Sequence, residues 1–169
     1  NYDIIILPGV GAFKSGMKFL KKTQLDEKLY NYSEKPGAFI YGICLGMQLL
    51  FNKSYEFVKT NGLGLIDGEV VKFHNIKANT THLGWSKLNI KNKDFKKNFK
   101  RFENKYFYFI HSYYAKPEFQ KNIFANSQHG TKSFCSVIKK GNIFGTQFHP
   151  EKSGLLGIEF LKNLKKLKN

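Results

Sequence analysis

The chain has 169 residues, with 28 Lys and Arg against 12 Asp and Glu for a formal net charge of +16, and is 41% hydrophobic and 16% aromatic. That length suits one domain spanning residues 1–169 with a core of its own, and the apolar fraction excludes a disordered chain. No segment approaches the roughly 18 consecutive apolar residues of a membrane span. The opening Asn-Tyr-Asp is unlike a secretory signal, so a cytoplasmic protein with no membrane partner is expected.

In chain order, Asp3 to Leu7 reads as a short buried strand closed by the turn Pro8-Gly9-Val10-Gly11. Ser15 to Tyr32 carries Met17, Leu20, Leu25 and Leu29 between charged residues, which predicts one helix or two short ones. Pro36-Gly37 ends it, and Ala38 to Tyr41 is a second buried strand. Gly42 to Gly46 then leads into a short helix, Met47 to Phe51. Strand, helix, strand, helix predicts a parallel sheet with right-handed crossovers.

From Gly62 the texture changes. Strand-like pieces at Gly68 to His74, Lys87 to Ile90, Tyr106 to Ser112, Ile123 to Ala125, Ser133 to Lys139 and Ile143 to Phe148 are divided by polar turns. Gly154 to Leu167 is an amphipathic helix with Leu156, Phe160, Leu161, Leu164 and Leu167 on one side. The expected fold class is α/β, a mostly parallel central sheet with an antiparallel extension from the middle of the chain. A doubly wound sheet rarely opens on a strand that already carries a functional turn. A further strand and helix ahead of Asn1 are therefore expected to be absent from this chain.

The charge invites a nucleic-acid reading, but Arg101 is the one arginine among the 28 basic residues. Arginine is the residue suited to bidentate recognition of phosphates and bases. The lysines spread along the chain, with local crowding at Lys91 to Arg101 and Lys162 to Lys168, so a solvated surface and no nucleic acid are expected. Cys44 and Cys135 lie far apart, without C-x-x-C or metal-ligand spacing. They read as free thiols, with no metal site.

Three motifs carry chemistry. Gly42-Ile43-Cys44-Leu45-Gly46 has the form Gly-x-nucleophile-x-Gly between a strand and a helix. Such a turn strains the backbone at its apex and projects the side chain from the sheet, while the following helix N-terminus favours a thiolate. The bland alternative is a small residue buried beneath a helix. Phe148-His149-Pro150-Glu151 follows an apolar strand, placing His149 where parallel sheets hold their ligands. His149 could move the thiol proton and Glu151 could orient its ring; alternatively, they are a surface pair in a loop. The third, Pro8 to Gly11, can turn backbone amides toward an oxyanion or simply reverse the chain. Cys135, inside a strand-like segment, reads as an inert core thiol.

These motifs together resemble the class I (triad) glutamine amidotransferases, most closely the glutaminase subunits of imidazole glycerol phosphate synthases. The segments that carry the resemblance are LPGVGAF (Leu7 to Phe13), YGICLGMQLLF (Tyr41 to Phe51), GLGLI (Gly62 to Ile66), HLGW (His82 to Trp85), YFYFIHSYY (Tyr106 to Tyr114) and FGTQFHPEKSG (Phe144 to Gly154).

The resemblance implies Cys44 as nucleophile, His149 as base and Glu151 as its partner. It implies an oxyanion hole at the amides of Gly11 and Leu45, and glutamine contacts from Gly9, Gln48, Ser112 and Tyr113. No metal, nucleotide or flavin cofactor is implied. The implied partner is a (β/α)8-barrel cyclase subunit in a heterodimer, which receives the ammonia and forms imidazole glycerol phosphate in histidine biosynthesis. His82, Trp85, Tyr108 and Lys152 are implied at that interface, with ordinary core packing the alternative for Trp85 and Tyr108. Thr81 and Ser86 stand where the family commonly has Pro and Asn. That departure leaves open a paralogous enzyme that supplies ammonia to surface-sugar synthesis. A non-catalytic scaffold on the same fold is a further alternative.

Overall fold

The computed structural model describes residues 4–74 and 79–167. Asn1, Asp3 and Lys168, which figure in the sequence reading, lie outside them. The centre is a six-stranded sheet. Strands β1 (Ile5–Leu7), β2 (Ile40–Ile43) and β12 (Ile143–Thr146) run parallel, in the order β1-β2-β12. Strands β11 (Lys132–Lys140), β10 (Ile123–His129) and β7 (Asn89–Ile90) extend the sheet antiparallel from β12. The mostly apolar β2 and β12 are buried along their whole length, as strands covered on both faces must be. Tyr41 and Phe144 join one core cluster, and their neighbours Ile40 and Ile143 join the other.

A second sheet has the order β4 (Thr60–Asn61), β3 (Phe51–Ser54), β5 (Ile66–Lys72) and β9 (Tyr113–Pro117). Strands β6 (His82–Lys87) and β8 (Tyr106–His111) form an antiparallel pair. The helices are α1 (Phe13–Lys22), α2 (Leu25–Ser33), α3 (Leu45–Leu49), α4 (Lys93–Phe99) and α5 (Gly154–Lys162).

Several expected boundaries move, each for a physical reason. Ser15 to Tyr32 is divided between two helices because Gln24 takes a left-handed φ of 57° between them. The helix expected at Met47 to Phe51 begins at Leu45, directly on the elbow, and Phe51 instead opens β3. The carbonyls of Leu49 and Leu50 accept from Leu63, Leu65 and Ile66, which draws the chain out of the helix and into the second sheet.

Lys87 to Ile90 is two strands, since Leu88 turns aside to exchange hydrogen bonds with Asn104 and Lys105. The strand expected from Gly68 to His74 starts at Ile66 and ends at Lys72, while Ile123 to Ala125 continues to His129. The closing helix ends at Lys162, and a 3-10 segment, Asn163–Leu167, completes it. Within the lysine-rich stretch lies the unanticipated α4. The Asn92 side chain caps it by accepting from Phe95 N at 2.8 Å, and Phe95 stacks on Phe99 with ring centroids 4.2 Å apart.

Candidate functional site

Cys44 stands at the end of β2 with φ 53° and ψ −109°, a conformation that L side chains rarely adopt. Its backbone is held on both sides: its N–H donates to Thr146 O at 2.8 Å, and its carbonyl accepts from Gln48 N at 3.1 Å. The flanking glycines make the turn possible. A Cβ at Gly42 would come 2.6 Å from Met47 N, and one at Gly46 would overlap the Leu7 carbonyl. The loop from Pro8 to Gly11 packs on the same elbow, where a Cβ on Gly9 would lie 3.1 Å from Gly46 N.

The thiol opens into a cavity of ≈ 730 Å³ lined by Gly11, Leu45, Gln48, Ser112, Tyr113 and Lys152, among others. The fold therefore brings most of the sequence-selected residues to one place. Gly9, expected as a glutamine contact, is not among the lining residues and abuts Leu45 and Gly46 instead. Burial pushes the Cys44 thiol up to about 12, the Leu45 backbone N–H pulls against it, and the negative charge of Glu151 adds to the rise. Cys135 is also buried, and burial pushes its thiol well above the ordinary range.

His149 follows β12 and is 2% exposed. Its N–H donates to Tyr108 O, and Ser153 Oγ donates to its carbonyl, so the backbone here cannot drift. Its Nδ1 lies 2.6 Å from Glu151 Oε1. A carboxylate can only accept, so Nδ1 carries the hydrogen and Nε2 of the neutral ring presents a lone pair. Nε2 is buried and has no hydrogen-bond partner among the described residues. An oriented imidazole with a vacant acceptor is suited to take a proton from a nearby acid.

Gln48 is placed more narrowly than its sequence role suggested. Its Nε2 donates to Tyr113 O at 2.8 Å and to Gln147 Oε1 at 3.1 Å. Both amide hydrogens are thereby used, and Oε1 alone remains for a ligand. Ser112 Oγ is bonded to Thr81 Oγ1 at 2.7 Å, which ties the residue before HLGW to the cavity wall.

Of the four residues expected at an interface, Trp85 and Tyr108 share a surface, while Lys152 lines the cavity. Trp85 and Tyr108 are cross-strand partners on β6 and β8 with ring centroids 5.7 Å apart, Trp85 is 54% exposed, and Lys152 is exposed. Leu83 and Ile110 extend this outward face. His82 points the other way and is 4% exposed, stacked between Phe109 and His129 and 3.3 Å from His111 Nε2. Alternation along a strand puts it inside while Leu83 and Trp85 face out.

Sequence reasoning passed over Glu56, Lys72 and Gln147. Glu56 and Lys72 line the cavity from the second sheet and the loop beside it, and Glu56 Oε2 accepts from Phe13 N at 2.5 Å. No spacing connects them to Cys44. Gln147 lies within the quoted FGTQFHPEKSG segment, two residues before His149, and was passed over in favour of the imidazole.

The profile of the family described as "Glutamine amidotransferase class-I" matches residues 1–165. The chain is 39% identical over 167 residues to the imidazole glycerol phosphate synthase subunit HisH of Chlorobaculum tepidum, covering 96% of this chain and 80% of that protein. It is 45% identical over 166 residues to the subunit of the same name from Caldanaerobacter subterraneus, covering 96% and 78%. The corresponding Methanocaldococcus jannaschii subunit is 43% identical over 169 residues, covering 98% and 81%. Among solved structures, a glutamine amidotransferase superposes with TM-score 0.69 at 15% identity, covering 96% of this chain and 79% of its own. PurLQS from Thermotoga maritima gives 0.68 at 21% identity, covering 98% and 80%. The mixed sheet with its parallel centre is the fold that these structures share, and the chain belongs to the class-I glutamine amidotransferase family.

Proposed function

We propose that this chain is the glutaminase subunit of an imidazole glycerol phosphate synthase, hydrolysing L-glutamine to glutamate and ammonia for a (β/α)8-barrel cyclase partner. The observation that carries the reading is a cysteine held at a strained elbow on the wall of a cavity with ample room for an amino acid, in a chain 39–45% identical to subunits of that name.

Cys44 Sγ attacks the side-chain amide carbon of glutamine, and its proton passes to His149 Nε2. The Leu45 N–H and the amides of the Val10-Gly11 turn hold the oxyanion. The amide nitrogen takes the proton from His149 and leaves as ammonia, giving a glutamyl thioester. Water, deprotonated by the same nitrogen, then releases glutamate. Glu151 keeps Nδ1 protonated and stabilises the imidazolium. Glu56, the carboxylate among the described lining residues, faces the α-ammonium. The Ser112-Tyr113 segment and Lys72 lie where the α-carboxylate is expected.

The outward face of Leu83, Trp85, Tyr108 and Ile110 is the docking surface for the barrel, because it is apolar, continuous and carried by two paired strands. The acceptor reaction rests on the relatives' names, so a barrel that feeds sugar synthesis is the alternative outcome of a partner assay.

A chloroketone analogue of glutamine tests the site. It should label Cys44 well before Cys135, and glutamine should protect. Equal labelling of both cysteines without protection would leave the scaffold reading in its place.

A further inference from the structure

Gln147 is fully buried, and its side chain reaches the candidate nucleophile. Its Nε2 lies 3.7 Å from Cys44 Sγ, while its Oε1 accepts from Gln48 Nε2 at 3.1 Å. Gln48 Nε2 also donates to Tyr113 O at 2.8 Å. The direction of this chain is fixed at its far end. A backbone carbonyl has no hydrogen to give, so Gln48 must present its NH2 group to Tyr113 O. The same NH2 group faces Gln147, which therefore turns its oxygen to Gln48 and its own NH2 to the sulfur.

The alternatives all fail on hydrogen count. Flipping Gln147 alone opposes two NH2 groups. Flipping both side chains opposes the Gln48 oxygen to the Tyr113 carbonyl. That carbonyl is itself pinned, since His111 Nδ1 lies 2.8 Å from it and donates to it. An N–H therefore points at Sγ whatever the protonation state of the thiol.

We propose that Gln147 sets the acidity of Cys44: its amide, held in one orientation by Gln48 and the Tyr113 carbonyl, donates a hydrogen bond to Sγ that favours the thiolate. The proposal rests on the reading of Cys44 as nucleophile and adds the residue that tunes it. A donor is worth more to a charged acceptor than to a neutral one, so this contact strengthens as the sulfur ionises. The thiol hydrogen has a separate outlet, Ile110 O at 3.8 Å, and ionisation vacates that contact without disturbing the one from Gln147. Gln48 is a positioning residue in this scheme, acting on the sulfur only through Gln147.

Other groups bear on the same sulfur. Glu151 opposes ionisation and Lys152 favours it through their charges. His149 follows β12, His111 ends β8, Tyr113 opens β9, and Glu56 and Lys72 line the cavity. Among the described residues none of these side chains hydrogen-bonds to Sγ, so the directed amide is the side-chain donor the sulfur has.

The test is the rate of Cys44 alkylation by iodoacetamide at one fixed pH of about 8, where the rate follows the thiolate fraction, read on the Cys44 peptide by mass spectrometry so that Cys135 does not contribute. Gln147→Met keeps the length and removes the donor. Gln48→Met keeps Gln147 but frees its amide to turn. The rate should fall about ten- to a hundredfold in Gln147→Met, and by less in Gln48→Met, with both variants melting cooperatively. If Gln147→Met fails to fold, Gln48→Met carries the test. An unchanged rate in a folded variant overturns the proposal. Alkylation needs no glutamine, so its outcome is independent of whether the chain consumes glutamine.

Discussion

A thiol enclosed by protein resists ionisation, and Cys44 needs the groups around it to become a nucleophile. The Gly-x-Cys-x-Gly spacing made the elbow legible because its cause is local: a turn this tight admits no Cβ at Gly46, where one would overlap the Leu7 carbonyl. Gly46→Ala should therefore lower stability by about 3 kcal/mol or more, seen as a reduced urea midpoint. A wild-type midpoint would mean that the elbow relaxes more freely than its contacts allow. Glu56 and Lys72 were illegible for the opposite reason, since tertiary structure alone carries them to the cavity.

The buried histidines make a second residue-scale prediction. Burial lowers His82 to about 4 and His111 to about 3; the charge of His129 adds to both, and that of His82 adds to the fall at His111. Both pKa values lie below the unfolded value of about 6.5, so between those limits the unfolded chain binds protons that the folded chain does not. Stability should be intact above about pH 6.5 and fall as pH drops, by up to about 1.4 kcal/mol per pH unit for each histidine. His82→Gln should flatten the acid limb of a melting-temperature profile. An acid limb as steep as that of the wild type would assign the loss to other groups.

At the scale of elements, β6 escaped sequence reading because its pattern is inverted. Its inward positions are His82, Gly84 and Ser86, while Leu83 and Trp85 face out. A strand predictor looks for an apolar inner face, and here the inner face is polar, with the His82 ring bonded to His111 and Ser86. The outward aromatic pair is then the anomaly that calls for a partner. Trp85→Ala should abolish stimulation of glutamine hydrolysis by the barrel while leaving the melting temperature within a degree or two, because the side chain is half exposed. Full stimulation in the variant would place the interface elsewhere. The helix α4 was hidden in a similar way, its Phe95 and Phe99 masked by flanking lysines.

Over the whole molecule, the parallel centre followed from alternating strand and helix patterns, which depend on local periodicity, whereas the order β1-β2-β12 did not. The extension by β11, β10 and β7 was anticipated as antiparallel, but its partners and register were set by long-range pairing that no short window contains. What the fold achieves is convergence: the end of β2, the turn after β1 and the β8–β9 turn line one cavity, and Gln147, just past β12, reaches the Cys44 sulfur. A cysteine delivered to that point, beside an apolar face on β6 and β8, is the arrangement that the proposed partnered glutaminase requires.

The most direct measurement is glutamate production from glutamine by the chain alone, and with a (β/α)8-barrel cyclase and its ribulosyl nucleotide, using Cys44→Ala as the blank. The account predicts turnover that rises strongly with the loaded barrel and vanishes in Cys44→Ala. Turnover with the barrel but indifferent to the nucleotide would move the acceptor to another pathway. No Cys44-dependent turnover under any of these conditions would contradict the account.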